Sequence, residues 1–311
     1  MVYNASLVSG SIDQDQVAAL CEPHNRTLDS RATCIDVTLI VTDLVNLKWR
    51  GTVNLPSRIV DISSALDNET VLDHPFMRPK IEYRSNFENA PMLLESFPGL
   101  RQEDLPDGEG WAFEIVQLTT HNGTHMDAPM HFHSKSIDGK RMMSIDEVPL
   151  EWFFRPAVKL DFRHLPDGHV VSAAEVETEL QRIGHELKPF DIVLVNTRAA
   201  SCIGSEQYLT AGCGMGREAT LHLTSRGVRV TGIDAWGWDA PFAHTRKRWL
   251  ETRDPKIIWE GHKAGREIPY CHMEKLCNLE QLPPKGFTVA CFPYKVKGGS
   301  AGWTRAVALF D

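Results

Sequence analysis

The sequence predicts a mixed α/β or α+β domain. Short runs of aliphatic and β-branched residues recur from Arg58 to the C-terminus. Segments with apolar spacing near 3.6 and clear end signals lie between some of them. With 311 residues, 42% apolar and 24% charged, the chain can bury a sizeable core as one large unit. No internal repeat or low-complexity tract points to a solenoid or a linker array.

Residues 1–57 carry no motif and read as an N-terminal extension of unknown role, ahead of a domain spanning 58–311. RIVDIS (58–63) reads as the first strand. Pro75, Pro79, Pro91 and Pro98 then punctuate a stretch that reads as loop. FEIVQLTT (113–120) alternates and is rich in β-branched residues, so it reads as a strand running into a histidine cluster. AVKLDF (157–162) is a further strand. SAAEVETELQRIG (172–184) opens on a Ser cap and ends on Gly, the signature of a helix. DIVLVNT (191–197) reads as a buried strand, REATLHLTSRG (217–227) as a helix and VRVTGID (228–234) as a strand. MEKLCNLEQL (273–282) is mixed and suggests a short helix. FTVACFPYKV (287–296) and TRAVALF (304–310) close the chain as strands.

The net charge of −8 and the lack of a basic, aromatic-interleaved run argue against nucleic-acid binding. Seven cysteines, an odd number with no CxxC pair, suggest reduced thiols and a cytoplasmic location. MVYNASLVSG lacks the basic and apolar regions of a signal peptide. The most apolar early run, Cys34 to Leu47, is too short for a bilayer and contains Asp36 and Asp43, so no membrane association is expected.

HNGTHMDAPMHFH (121–133) holds four of the thirteen histidines. Gly123 and Pro129 disfavour a helix there. On a strand, side chains repeat every second residue, so His125 and Asp127 point the same way, and an Asn-Gly bend can return His121 towards them. Such a set is a plausible metal site, because ligation needs several imidazoles or carboxylates converging on one point. Three protein ligands leave a position for water, which a metal can make nucleophilic near neutral pH. His131 is then a candidate proton shuttle, and His133 a bystander or a support for the ligands.

The pattern His121-x-Gly123-Thr124-His125-x-Asp127-x-Pro129-x-His131-Phe132 resembles the signature of the cyclase-like metal-dependent hydrolases. That family includes bacterial kynurenine formamidase, isatin hydrolase and trans-dienelactone hydrolases. A downstream His followed twelve residues later by Glu, in a segment like E-x-L-x-N-L, belongs to the same resemblance. Here these are His262 and Glu274, and the resemblance runs from about Arg58 to the C-terminus. It implies a swivelling β/β/α domain of α/β class, with a central barrel-like mixed sheet flanked by helices, usually as a homodimer or homotetramer. It implies that His121, His125 and Asp127 hold one metal, and that Asp127, His262 and Glu274 hold a second, with Asp127 bridging. Zinc or manganese, one or two per chain, would serve, and His131 would be the catalytic acid/base. The expected reaction is hydrolysis of a C–N amide, cyclic amide or lactone bond in a small molecule. The chain departs from kynurenine formamidases at DNETVLDHPFMRP (67–79), which has no Trp, and at GIDAWGWDAPF (232–242), where they carry a Ser-rich segment.

Trp236 and Trp238 could wall an apolar substrate pocket, with Asp239 orienting a neighbour, and Arg305 could meet a substrate carboxylate. Core packing or a structural ion pair is the alternative for each. Gly212, Gly214 and Gly216 precede a helix and a strand ending in Asp234, which mimics a dinucleotide-binding unit, although no convincing strand precedes them. A nicotinamide-dependent oxidoreductase is therefore a rival reading, and a catalytically idle, metal-stabilised binding protein is another. Serine hydrolysis lacks its Gly-x-Ser-x-Gly elbow. Cys202 and Cys213 have no evident activating base.

Overall fold

The computed structural model describes residues 55–311. The extension expected over residues 1–57 thus lies outside the described residues as far as residue 54. The described residues form β1 (Arg58–Asp61), β2 (Lys80–Arg84), α1 (Asn86–Ser96), β3 (Phe113–Gln117), β4 (His125–Asp127), α2 (Pro129–Phe132) and β5 (Phe154–Asp161). There follow β6 (Val170–Val171), α3 (Ala173–Ile183), β7 (Ile192–Asn196), β8 (Gly214–Met215), α4 (Arg217–Thr224) and β9 (Val230–Ile233). The last elements are α5 (Phe242–Thr252), α6 (Glu260–Ala264), β10 (Cys271–Glu274), β11 (Lys285–Ala290), β12 (Ala301–Trp303) and β13 (Val307–Phe310).

Nine strands form one mixed sheet in the order β1-β13-β11-β5-β7-β9-β10-β4-β12. The sheet curls into a half-barrel, as the resemblance implies for the α/β class. Its centre, β5-β7-β9-β10, is parallel, and both flanks are antiparallel. The sequence explains the centre. Ile192–Asn196 (IVLVN) is buried at every residue, as a parallel strand covered on both faces requires. On one face α3 and α4 supply Val176, Leu180, Ile183, Ala219 and Leu223 against Val158, Leu160, Val193 and Val195. On the other, Ala157, Ile192, Leu194, Val289 and Ala308 pack with Met126, Phe153 and Met273.

The helix expected over 172–184 is α3. Ser172 and Glu175 form a reciprocal capping box, and Gly184 ends the helix with a left-handed φ of 61°. Three sequence expectations need correction. The Pro-punctuated stretch holds β2 and α1, because the Ser85–Glu88 capping box starts a helix that tolerates Pro91. The alternating FEIVQ segment does not lead into the histidine cluster as a strand of the main sheet. It pairs with β2 in a separate, largely exposed ribbon. Residues 273–282 form the end of β10 and a short 3₁₀ turn at Leu279–Gln281, with no α-helix. Helix α5 escaped the pattern because only Thr245 of its eleven residues is buried. Among the described residues, no helix is long and apolar enough to cross a membrane.

Candidate metal centre

Strand pairing builds the site. β4 reads His125-Met126-Asp127 and β10 reads His272-Met273-Glu274. The two strands are antiparallel, with His272 opposite Asp127, Met273 opposite Met126 and Glu274 opposite His125. The two-residue period sends both methionines into the core and all four polar side chains to the other face. β12 covers the far edge of β4, so this polar face is fixed from both sides.

His121 joins from the turn before β4, where Gly123 takes φ 56°. Its Nδ1 lies 2.9 Å from Asp127 Oδ1, and His125 Nε2 lies 3.2 Å from the same oxygen. The Gly and Pro expected to bend the chain do so, but Pro129 also opens the one-turn helix α2, which carries His131. His131 Nε2 sits 3.5 Å from Asp127 Oδ2. His262, on α6, brings Nε2 to 3.4 Å from Glu274 Oε1 and 3.8 Å from Asp127 Oδ2. The sequence thus located His121, His125, Asp127, His131, His262 and Glu274 in one cluster. It missed His272, whose Nε2 lies 3.2 Å from Asp127 Oδ2 and 3.1 Å from Glu274 Oε1.

The outward nitrogens are tied. His121 Nε2 faces Ser300 Oγ at 3.0 Å, and His125 Nδ1 faces the Gly123 carbonyl at 2.8 Å. His262 Nδ1 binds Asp239, whose carboxylate also accepts from the backbone N–H groups of Gly261 and His262. Asp239 therefore orients a neighbour, as the sequence suggested. Such ties fix each ring and aim its inner nitrogen at the cluster, the arrangement metal-ligating imidazoles adopt. Conversely, His125 Nε2 and both Asp127 oxygens are buried with no hydrogen-bond partner. Buried polar groups are seldom orphaned without reason, and a divalent cation would satisfy all three at once. The donors converge as two sets that share Asp127: His121, His125 and Asp127; and Asp127, His262, His272 and Glu274.

Electrostatics point the same way. Burial raises the Asp127 carboxyl, but His131, His125 and His121 outweigh it and hold the group well below the usual range. Burial likewise acts against ionised Glu274, and His262 and His272 overcome it. Burial lowers His262, yet Asp239 and Glu274 prevail and raise it to about 10. The carboxylates thus stay charged and draw protons onto imidazoles where a cation is not present. His131 behaves differently. Burial is the largest influence, and it brings the ring down to about 4.

A pocket of about 220 Å³ opens onto the cluster, lined by His121, His131, His262 and Glu274 on the polar side and by Met77, Trp236, Phe242 and Trp259 on the apolar side. Lys275, also in its wall, is tied to Asp73 and to the His121 carbonyl, both at 2.6 Å, and so braces the ligand turn.

Trp236 lies in the pocket as expected, but Trp238 and Arg305 do not. Residues 234–240 bend rather than extend, so the two tryptophans part company. The Trp238 ring is buried, stacks on His272 and donates from Nε1 to Thr220 at 3.0 Å. The exposed Arg305 pairs with Asp61 at 2.7 Å. His133 is exposed and accepts from the Lys135 backbone N–H. The dinucleotide reading also fails. A Cβ at Gly214 would meet Ala240 N at 1.9 Å, and at Gly212 it would meet Thr197 Oγ1 at 2.7 Å, so close packing of neighbouring chain accounts for these glycines. Glu260 already occupies the N-terminus of α4, accepting from Arg217 N. Burial pushes the Cys213 thiol up to about 12, which removes it as a nucleophile.

Comparison with known proteins identifies the family. A kynurenine formamidase of Salinibacter ruber is 26% identical over 193 residues, which cover 62% of this chain and 77% of that protein. Isatin hydrolase A from Ralstonia solanacearum superposes with a TM-score of 0.64 at 21% identity, covering 92% of this chain and all of the other. An isatin hydrolase bound to the product analogue thioisatinate gives 0.62 at 22% identity, covering 88% and 99%. Residues 60–240, more than half of the chain, match the Cyclase family, and the chain belongs to that family.

Proposed function

We propose that this chain is a metal-dependent hydrolase that cleaves a C–N amide bond, open or cyclic, or a lactone in a small molecule. The observation that carries the reading is the pair of ligand sets sharing Asp127, with orphaned buried atoms, at the base of a pocket whose wall holds His131. A divalent ion held there, zinc or manganese, supplies Lewis acidity to the substrate carbonyl and makes water acidic near neutral pH. The related kynurenine formamidase and isatin hydrolases support a carbonyl bonded to nitrogen as the reacting group.

The remaining chemistry belongs to the chain. Trp236, Phe242 and Trp259 offer flat apolar walls suited to a small aromatic substrate. His131 is neutral at pH 7, since burial brings it to about 4. It can accept a proton from the attacking water and deliver it to the leaving nitrogen or oxygen. The tied rings of His121, His125 and His262 hold their inner nitrogens in place while the bond breaks.

The reading of an idle, metal-stabilised protein has no use for an untied imidazole on the pocket wall. The family resemblance also leads us to propose a homodimer or homotetramer, to be read by sedimentation. Cytoplasmic residence is proposed from the free cysteines among the described residues. A screen of aryl formamides, cyclic amides and lactones, with and without chelator, tests the function. Turnover that a chelator abolishes and added metal restores is the expected result. Turnover indifferent to chelation would refute it.

A further inference from the structure

His272 has no part in the sequence signature, yet it occupies the middle of the cluster. It is fully buried, its ring held parallel between Phe132 and Trp238. Its Nδ1 faces the Tyr270 hydroxyl at 3.3 Å. That hydroxyl donates to the Gly261 carbonyl at 3.0 Å, so its one proton is engaged and it can only accept from His272. Tyr270 thus provides an acceptor for a proton on Nδ1, the tautomer a metal ligand needs, while Nε2 points at Asp127 Oδ2 at 3.2 Å and Glu274 Oε1 at 3.1 Å. A ring nitrogen packed this closely against two buried carboxylate oxygens needs positive charge among them, which a proton or a metal ion supplies. His262 Nε2 is aimed at the same two oxygens, at 3.8 and 3.4 Å. These four separations fit a tetrahedron, whose edges are about 3.4 Å when ligands lie about 2.1 Å from zinc.

We propose that His272 is the fourth protein ligand of an inner metal position formed with Asp127, His262 and Glu274. The proposal rests on the metal-dependent reading above and divides the labour between the two positions. The inner position has four buried protein ligands, which complete its coordination as in sites that hold metal for structure. The outer position has three, His121, His125 and Asp127, and His121 is partly exposed at the pocket. The outer position is then the one that exchanges its metal and meets substrate.

The test is titration of metal-free protein with Co(II), a spectroscopic substitute for zinc. The first equivalent should give the intense visible bands of a tetrahedral site and two paramagnetically shifted, exchangeable imidazole N–H signals, from His262 and His272. The second should give weaker bands. His272→Phe keeps a flat ring between Phe132 and Trp238. It should lose one N–H signal and the intense bands, and bind the first ion at least about 10-fold more weakly. The second ion's signals should persist. Unchanged bands and affinity in the variant would overturn the proposal while leaving the metal reading intact, as would a single N–H signal at the first equivalent in wild-type protein. That wild-type count decides the matter even if the variant does not fold. No Co(II) binding by wild-type protein would instead overturn the metal reading itself.

Discussion

At the residue scale the four outer nitrogens separate ligands from catalyst. His121, His125, His262 and His272 each have theirs engaged, by Ser300, Gly123, Asp239 and Tyr270. Among the described residues, no side-chain hydrogen bond holds His131. Its ring packs against those of His121, Trp259 and His262, with Asp127 Oδ2 3.5 Å from Nε2. A ligand must stay still, whereas a proton carrier must meet water first and leaving group second. His131→Ala should therefore lower kcat by about 10²–10⁴-fold and leave metal content unchanged, as elemental analysis can check. Because burial lowers this ring to about 4, and a nearby cation acts in the same direction, its acid limb in a kcat/KM profile should fall well below pH 6.5. A variant that loses metal together with activity would move His131 into the ligand set.

At the element scale the site is a consequence of register. The triplets His-Met-Asp and His-Met-Glu run antiparallel, so each histidine faces the other strand's carboxylate. A one-residue slip would put the methionines into the pocket and the ligands into the core. Part of this was legible in the sequence. The 125–127 triplet stood in a recognisable signature, and Glu274 lay at the right separation from His262. The echo of the first triplet at 272–274 was the signal for His272, but only strand pairing gives it meaning, and a helical reading of 273–282 hides it. Trp238 and Trp236 could not be told apart for a similar reason, because a bend after β9 breaks the alternation that would have put them together. The glycines before α4 show the reverse error, in which a ligand-like pattern proved to serve packing. Gly214→Ala, whose Cβ would press on Ala240, should destabilise the fold by about 1–3 kcal/mol in denaturant melts. It should leave nicotinamide affinity undetectable in both forms. An unchanged midpoint would show that the 239–240 segment yields freely.

At the scale of the whole molecule, the centre couples metal, protons and stability. In metal-free protein His262 is raised to about 10, so its stabilising share is complete below pH 6.5 and disappears as pH rises through 10. Asp127 and Glu274 are lowered, so theirs is present above about pH 4–4.5 and is lost on acidification below that. A metal must displace the His262 proton, so binding releases protons and strengthens with pH. Calorimetric scans should show metal-free protein melting earlier as pH rises from 7 to 9. A fixed metal concentration, about 100 times the Kd at pH 7, should raise Tm there by roughly 5–10 °C, with the shift growing as pH rises to 9 and Kd falls. A shift independent of pH would mean that no buried imidazolium precedes the metal.

The most direct measurement is the metal content of purified wild-type protein and of His125→Ala, with amide hydrolysis assayed on the same samples. His125 is wholly buried, its Nε2 has no other partner, and it lies on the pocket-side set. Wild-type protein should carry zinc or manganese and turn over an amide, and the variant should lose the outer metal and the activity together. A variant with full metal content and full activity would contradict the account.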